Sequence, residues 1–197
     1  MRYLVVIILL SKLFLAQENP VDILKKVQSK YVDATDFSVE LTQFVNSSNP
    51  IKGKLFIKQK DFYRIELPNQ IIISDGKTFW NYNKKQNKVI VDNFQKSNDN
   101  IFSFNYLLFE VPYNSNISLS SQNGLKKLIL NPKDVSFPFR KIEILINDNF
   151  LVKRVNAVDN SGVSFEINFD NYRFNQNLKS ELFVFNPAEG TKVIDLR

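Results

Sequence analysis

The chain contains no cysteine and no histidine. Thiol nucleophiles, disulfides, Cys/His zinc sites and imidazole general bases are therefore excluded. Hydrolysis would have to rest on carboxylates, lysine or tyrosine, and no two acids are arranged as an acid/base couple. The reading is of a non-enzyme with no cofactor and no metal. No run of five or more basic residues occurs, so the net charge of +6 reads as a lysine-rich surface and not as a nucleic-acid site. No internal repeat and no low-complexity linker divides the 197 residues, which suits one domain, in a monomer. There is one tryptophan, Trp80, and one methionine, against 18 phenylalanines. Many apolar rings must be buried or must line something.

Long apolar runs are scarce as well. The opening "MRYLVVIILLSKLFLAQENP" has Arg2, then Leu4 to Leu10 without a polar residue, then Lys12, then Leu13 to Ala16. A membrane-spanning helix needs about 20 apolar residues. A basic start, a short apolar stretch and a small residue before polar ones predict a secretory signal peptide over 1–16, the alternative being an uncleaved membrane anchor. Phe14 and Lys12 fit that pattern imperfectly. No cysteine follows to carry a lipid anchor, so residues 17–197 are expected to form one soluble exported domain.

Pro20 to Ala34 is predicted helical: Ile23, Leu24, Val27 and Tyr31 share a face, and Pro20 suits a first turn. From Asp36 the period becomes two, with Phe37, Val39 and Leu41 alternating with Ser38, Glu40 and Thr42. Further strands are predicted over Lys52 to Lys58, Phe62 to Leu67, Gln70 to Ser74, Thr78 to Tyr82 and Lys88 to Asp92, with a hairpin turn at Asp75-Gly76. Asn98 to Val111 changes period again and predicts a second helix capped by Asp99, with Ile101, Phe104, Leu107 and Leu108 on one face. Strands then resume over Ile117 to Ser121, Leu125 to Asn131, Arg140 to Asn147, Phe150 to Val158 and Val163 to Asn171, with a last one over Glu181 to Phe185. Asp75, Asp159 and Asp170 read as turn carboxylates, and Gly76 and Gly190 as turn glycines.

Short connections make this an antiparallel meander. The fold class is mainly β (α+β): one curved antiparallel sheet of about eleven strands, an incomplete barrel lidded by short helices. Two helices cover such a sheet only partly, so an apolar cavity beneath them is one outcome. A solid interdigitated core is the other.

Several blocks, in order, resemble one family. They are "GKLFIKQKDFYRIEL" (Gly53 to Leu67), "IIISDGKTFWNYNKKQNKVIV" (Ile71 to Val91), "DNSGVSFEINFDNYRFNQNL" (Asp159 to Leu178) and "FVFNPAEGTKVID" (Phe183 to Asp195). The chain is similar to LolA, the periplasmic outer-membrane lipoprotein carrier family. The resemblance implies a half-barrel that shelters the acyl chains of lipoproteins in the periplasm. It also implies an inner-membrane lipoprotein-releasing transporter as donor and an outer-membrane acceptor. Gln59 stands where members carry an arginine directly after a strand, and the chain stops at Arg197 without the C-terminal extension of some members. An alternative within the same fold is a sensor or scaffold domain that binds an envelope protein.

On this reading the lipid-binding residues are Trp80, Tyr82, Phe56, Arg64, Ile72, Phe104, Leu107 and Leu108. Trp80 and Tyr82 share a strand face, opposite Phe79, and either line the cavity or pack against a helix. Arg64 contacts a polar lipid linkage, tethers the lid or simply faces solvent. Ile101, Phe104, Leu107, Leu108 and Phe109 form the inner surface of the lid or an ordinary core helix.

Overall fold

The computed structural model describes residues 18–58, 61–94 and 103–197. The signal peptide expected over 1–16, Gln59, the Asp99 cap and Ile101 lie outside the described residues.

The first element is helix α1, Pro20–Val32. Asn19 caps it, its Oδ1 accepting from the Val21 amide at 2.8 Å, and Pro20 occupies the first turn, where a missing N–H costs nothing. Ile23, Leu24, Val27 and Tyr31 are buried, as their spacing requires, while Lys25, Lys26 and Lys30 face solvent.

Six strands follow: β1 Asp36–Val45, β2 Ile51–Lys58, β3 Phe62–Glu66, β4 Gln70–Asp75, β5 Thr78–Asn83 and β6 Lys88–Asn93. The chain then enters a helical segment, termed α2, in which a π-helical turn (Tyr106–Glu110) runs into a short α-helical turn (Val111–Tyr113). Strands β7 Ser115–Gln122, β8 Leu125–Pro132, β9 Phe139–Ile146, β10 Val152–Asp159 and β11 Ser164–Phe174 complete a second meander. A 3-10 turn, Ser180–Phe183, and strand β12, Lys192–Asp195, end the chain.

The twelve strands form one sheet in the order β12-β6-β5-β4-β3-β2-β1-β11-β10-β9-β8-β7. Two meanders thus join at the β1–β11 pair. Among the described residues the two end strands, β12 and β7, do not pair with each other, so the sheet stays an open, incomplete barrel. Because β6 and β7 lie near opposite ends, the segment between them has to cross the sheet. α2 makes that crossing on the inner face and buries Tyr106, Leu107, Leu108 and Val111 in the main core. α1 packs beside it, and Gln28 Nε2 donates to the Leu108 carbonyl at 2.6 Å.

Two expectations are corrected here. Glu181 to Phe185 is not a strand: residues 180–183 form a 3-10 turn that lies against β3 and β4. The final strand is instead β12, and it runs parallel to β6, the one parallel pair among the described strands. The reason is the path of the chain. It passes beneath the outer face, turns at Ala188–Thr191, and returns alongside β6, where Lys192 N–H donates to the Asn87 carbonyl at 2.9 Å.

Gly53 faces a neighbour too close for any side chain, since a Cβ there would lie 2.5 Å from the Glu66 carbonyl oxygen. Asp75 and Asp159 are turn carboxylates as expected, each accepting backbone amides through Oδ1. Asp170 is not: it sits on β11 and pairs with Lys153.

Candidate functional site

The inner face carries an apolar cavity of about 700 Å³. The C-terminal end of α1 supplies Tyr31 and Val32, β1 supplies Phe37, β2 supplies Ile57 and Lys58, and β3 supplies Tyr63. Across from them stand Ser103, Phe104, Asn105, Leu108 and Phe109, from the segment leading into and through α2. Asn177 and Leu178 complete the rim. The volume falls within the ~300–1,000 Å³ usual for ligand pockets, and the walls are mainly apolar, as such pockets require.

One wall is a cluster of aromatic rings. The Phe104 ring lies 4.9 Å from Tyr31, 5.4 Å from Phe37 and 5.3 Å from Phe169, all at tilted or edge-on angles. Tyr172 and Phe174 join the cluster although Phe169, an odd number of residues away, also points inward. A bulge makes that possible. Register shifts opposite Ser38–Glu40, and Asn171 adopts φ 56°, a left-handed conformation that asparagine tolerates better than most residues. The extra residue re-aims the following side chains toward the cavity.

The Tyr31 hydroxyl is fully satisfied. It accepts from the Val152 amide at 2.9 Å and donates to the Tyr172 hydroxyl at 3.2 Å, which in turn donates to the Val152 carbonyl at 2.8 Å. This closed cycle fastens α1 to β10. Burial pushes the pKa of the Tyr31 and Tyr172 hydroxyls up, and burial followed by the nearby Asp61 charge pushes up that of Tyr63. All three rings stay neutral at physiological pH, so the tyrosines add no charge to the wall.

The rim is held by Asp36, which is buried at 3% exposure. Its carboxylate accepts the Gln176 amide at 2.7 Å and the Leu178 amide at 3.0 Å. Lys58 Nζ donates to the Leu178 carbonyl at 2.8 Å from the other side. Asp36→Ala is expected to cost about 1–3 kcal/mol by leaving these amides without an acceptor. Urea unfolding reads the loss, and hydrogen exchange at Gln176 and Leu178 reads its location.

The model of the family described as outer membrane lipoprotein carrier protein LolA matches residues 33–186. The chain belongs to the LolA family. An outer-membrane lipoprotein carrier protein of Actinobacillus succinogenes is 26% identical over 184 residues, covering 89% of this chain and 87% of that protein. An uncharacterized protein of Methanocaldococcus jannaschii is 23% identical over 186 residues, covering 90% of this chain. This chain spans 54% of the length of that relative. Among solved structures, an uncharacterized conserved protein from Thermus thermophilus superposes with a TM-score of 0.61 at 13% identity, over 89% of this chain and 98% of that one. That likeness concerns the fold.

The eight residues singled out as a lipid site divide between the two faces of this LolA-family sheet. Phe104 and Leu108 line the cavity, and Leu107 is buried in the core beside them. Ile72 lies on the inner face, opposite Ile65, within the main core and away from the cavity lining. Trp80, Tyr82, Phe56 and Arg64 point the other way. Register decides it: Ser74 pairs with Phe79 and Ile73 with Trp80, and Phe79 packs on the inner core, so Trp80 and Tyr82 face outward. Leu55 and Ile57 are likewise inward, which turns Phe56 outward, beneath the Lys54 ammonium 4.9 Å from its ring.

On the outer face Tyr82 and Arg64 meet the C-terminal segment. Tyr82 lies 4.9 Å from Phe185, Phe62 lies 6.1 Å from Phe183, and Arg64 pairs with Glu66 while its Nη1 donates to the Leu182 carbonyl at 3.3 Å. Arg64 thus tethers the C-terminal segment, not a lid over the cavity. The two phenylalanines of "FVFNP" belong to a second, smaller apolar layer on the outer face.

The sequence reasoning missed Tyr31, Phe37, Ile57, Tyr63 and Asn105 as cavity residues. Ile57 and Tyr63 pair directly across β2 and β3, within the "LFIKQKDFYRI" block that carried the family resemblance. The inward parity of Leu55 would have exposed them. Tyr31 and Phe37 were legible only as core positions, because core and cavity wall share one face.

Proposed function

We propose that this protein carries acylated lipoproteins through the periplasm, holding their acyl chains in the cavity between α1, α2 and the inner face of the sheet. It acts by binding, without catalysis. An inner-membrane lipoprotein-releasing transporter loads it and an outer-membrane acceptor unloads it. The observation that supports the reading is the cavity itself: about 700 Å³, walled by Phe37, Phe104 and Leu108, in a chain of the LolA family. Sheltering ten methylenes contributes about 8 kcal/mol before ordering costs. That corresponds to roughly micromolar affinity at best, weak enough for cargo to pass to a tighter-binding acceptor.

The test is displacement of an apolar fluorescent probe from the purified protein by a triacylated peptide. Concentration-dependent displacement is expected, together with acylated protein in mass spectra of material co-purified from periplasm. Absence of displaceable probe binding overturns the proposal. A stoichiometric protein partner recovered without acylated material would favour the sensor or scaffold reading instead.

Trp80 makes a second check. Because it faces outward, filling the cavity is expected to leave its emission maximum nearly unchanged. A large ligand-induced shift would place the acyl chains on the wrong face of the sheet.

A further inference from the structure

We infer that the cavity recognises acyl chains joined through an amide, with Tyr63 and Asn105 as the polar contacts. This inference rests on the carrier reading above and refines its ligand.

Two buried polar atoms at the cavity have no hydrogen-bond partner among the described residues. One is the hydroxyl of Tyr63, a residue only 4% exposed, and the other is Oδ1 of Asn105. Both residues line the cavity, one from β3 and the other from the segment entering α2. Asn105 Nδ2 already donates to Glu110 Oε1 at 2.9 Å, so the end of its amide left over is the acceptor. Buried polar groups in folded proteins are nearly always paired, and each exception calls for an explanation. The Tyr31 hydroxyl, in the same cavity, shows what pairing looks like here: it sits in the closed cycle with Tyr172 and Val152.

The two orphan atoms ask for complementary partners. A tyrosine hydroxyl held neutral donates one proton, and an asparagine Oδ1 only accepts. A hydrocarbon chain supplies neither partner. An ester carbonyl accepts from Tyr63 but gives Asn105 nothing. A secondary amide supplies both, a carbonyl for Tyr63 and an N–H for Asn105.

Three ligands of equal chain length test this against the full protein: an N-alkyl alkanamide, the corresponding alkyl alkanoate ester, and the apolar fluorescent probe that both displace. The amide is expected to bind about 3–10-fold more tightly than the ester, the range for one additional neutral hydrogen bond. Tyr63→Phe should weaken amide and ester by a similar factor and leave the probe unchanged. Asn105→Ala should abolish the preference for amide over ester while sparing the ester. Without ligand, Tyr63→Phe should melt no lower than the wild type, because it removes a hydroxyl that has no partner.

Equal binding of amide and ester by the wild type overturns the inference while the carrier reading stands. So does a Tyr63→Phe variant that loses the probe along with the other ligands, or one that melts lower without ligand. If the wild type binds no probe at all, the carrier reading falls, and the inference with it.

Discussion

Ile57→Glu is expected to lower affinity for acyl ligands by at least about 100-fold while leaving the fold intact. Ile57 lines the cavity from β2, next to Lys58 at the rim, and it is only half-buried. A glutamate there can therefore fold with its carboxylate hydrated. Filling the cavity with an acyl chain would strip that water, and the effective cost of desolvating an ion within a protein is several kcal/mol. A 100-fold loss corresponds to about 2.8 kcal/mol. Probe displacement measures the affinity, and urea unfolding confirms that stability has moved little. Unchanged affinity would show that acyl chains do not pass this wall. The geometry also makes Phe56→Glu, one residue away on the outer face, the natural control: it should leave binding untouched.

Phe183→Ala should be among the more damaging single changes to stability, at about 3–5 kcal/mol. Phe183 is fully buried, although it sits in a four-residue 3-10 turn near the end of the chain. Its ring meets Phe62 edge-on and seals the outer face of β3 and β4, where Ile73 is also fully buried. Truncation to alanine opens a cavity in this thin layer and weakens the seat of the whole C-terminal segment. For a chain of this size the expected fall in melting temperature is roughly 10 °C, taking about 2–4 °C per kcal/mol. Loss of the layer should also loosen the neighbouring Tyr82–Phe185 ring pair, so faster amide hydrogen exchange in the folded variant around Phe183 and Phe185 provides an independent readout. A variant with wild-type stability would mean that the segment is an appendage and not part of the folded core.

These two expectations concern opposite faces of one sheet, and that division was only half legible beforehand. Element type was easy to read along most of the chain, Glu181 to Phe185 being the exception. Pro20 after a capping asparagine, the apolar spacing of α1, and the alternation along Phe165, Ile167 and Phe169 each follow from local geometry. Which face of β5 points inward was not. In Thr78–Asn83 both faces carry aromatics, Phe79 on one and Trp80 with Tyr82 on the other, so alternation separates the sets without orienting them. A usable signal lay in the neighbours. Ile71-Ile72-Ile73 in β4 and Val89-Ile90-Val91 in β6 are unbroken apolar runs, the mark of a strand covered on both sides. They announce an outer layer, and among the described residues it is the C-terminal segment that supplies it.

The sequence by itself determined the meander, the two helices and the family, because periodicity, caps and turns are decided by residues near one another in the chain. Cysteine and histidine being absent, it also determined which chemistries were closed. The tertiary structure alone decided that "FVFNP" packs beneath the sheet, that β12 returns parallel to β6, and that Tyr63 and Asn105 end in the same cavity with Tyr31 and Phe37. Such choices depend on pairings between residues far apart in the chain. A strand's two faces are locally equivalent, and only what packs against each of them tells inside from outside.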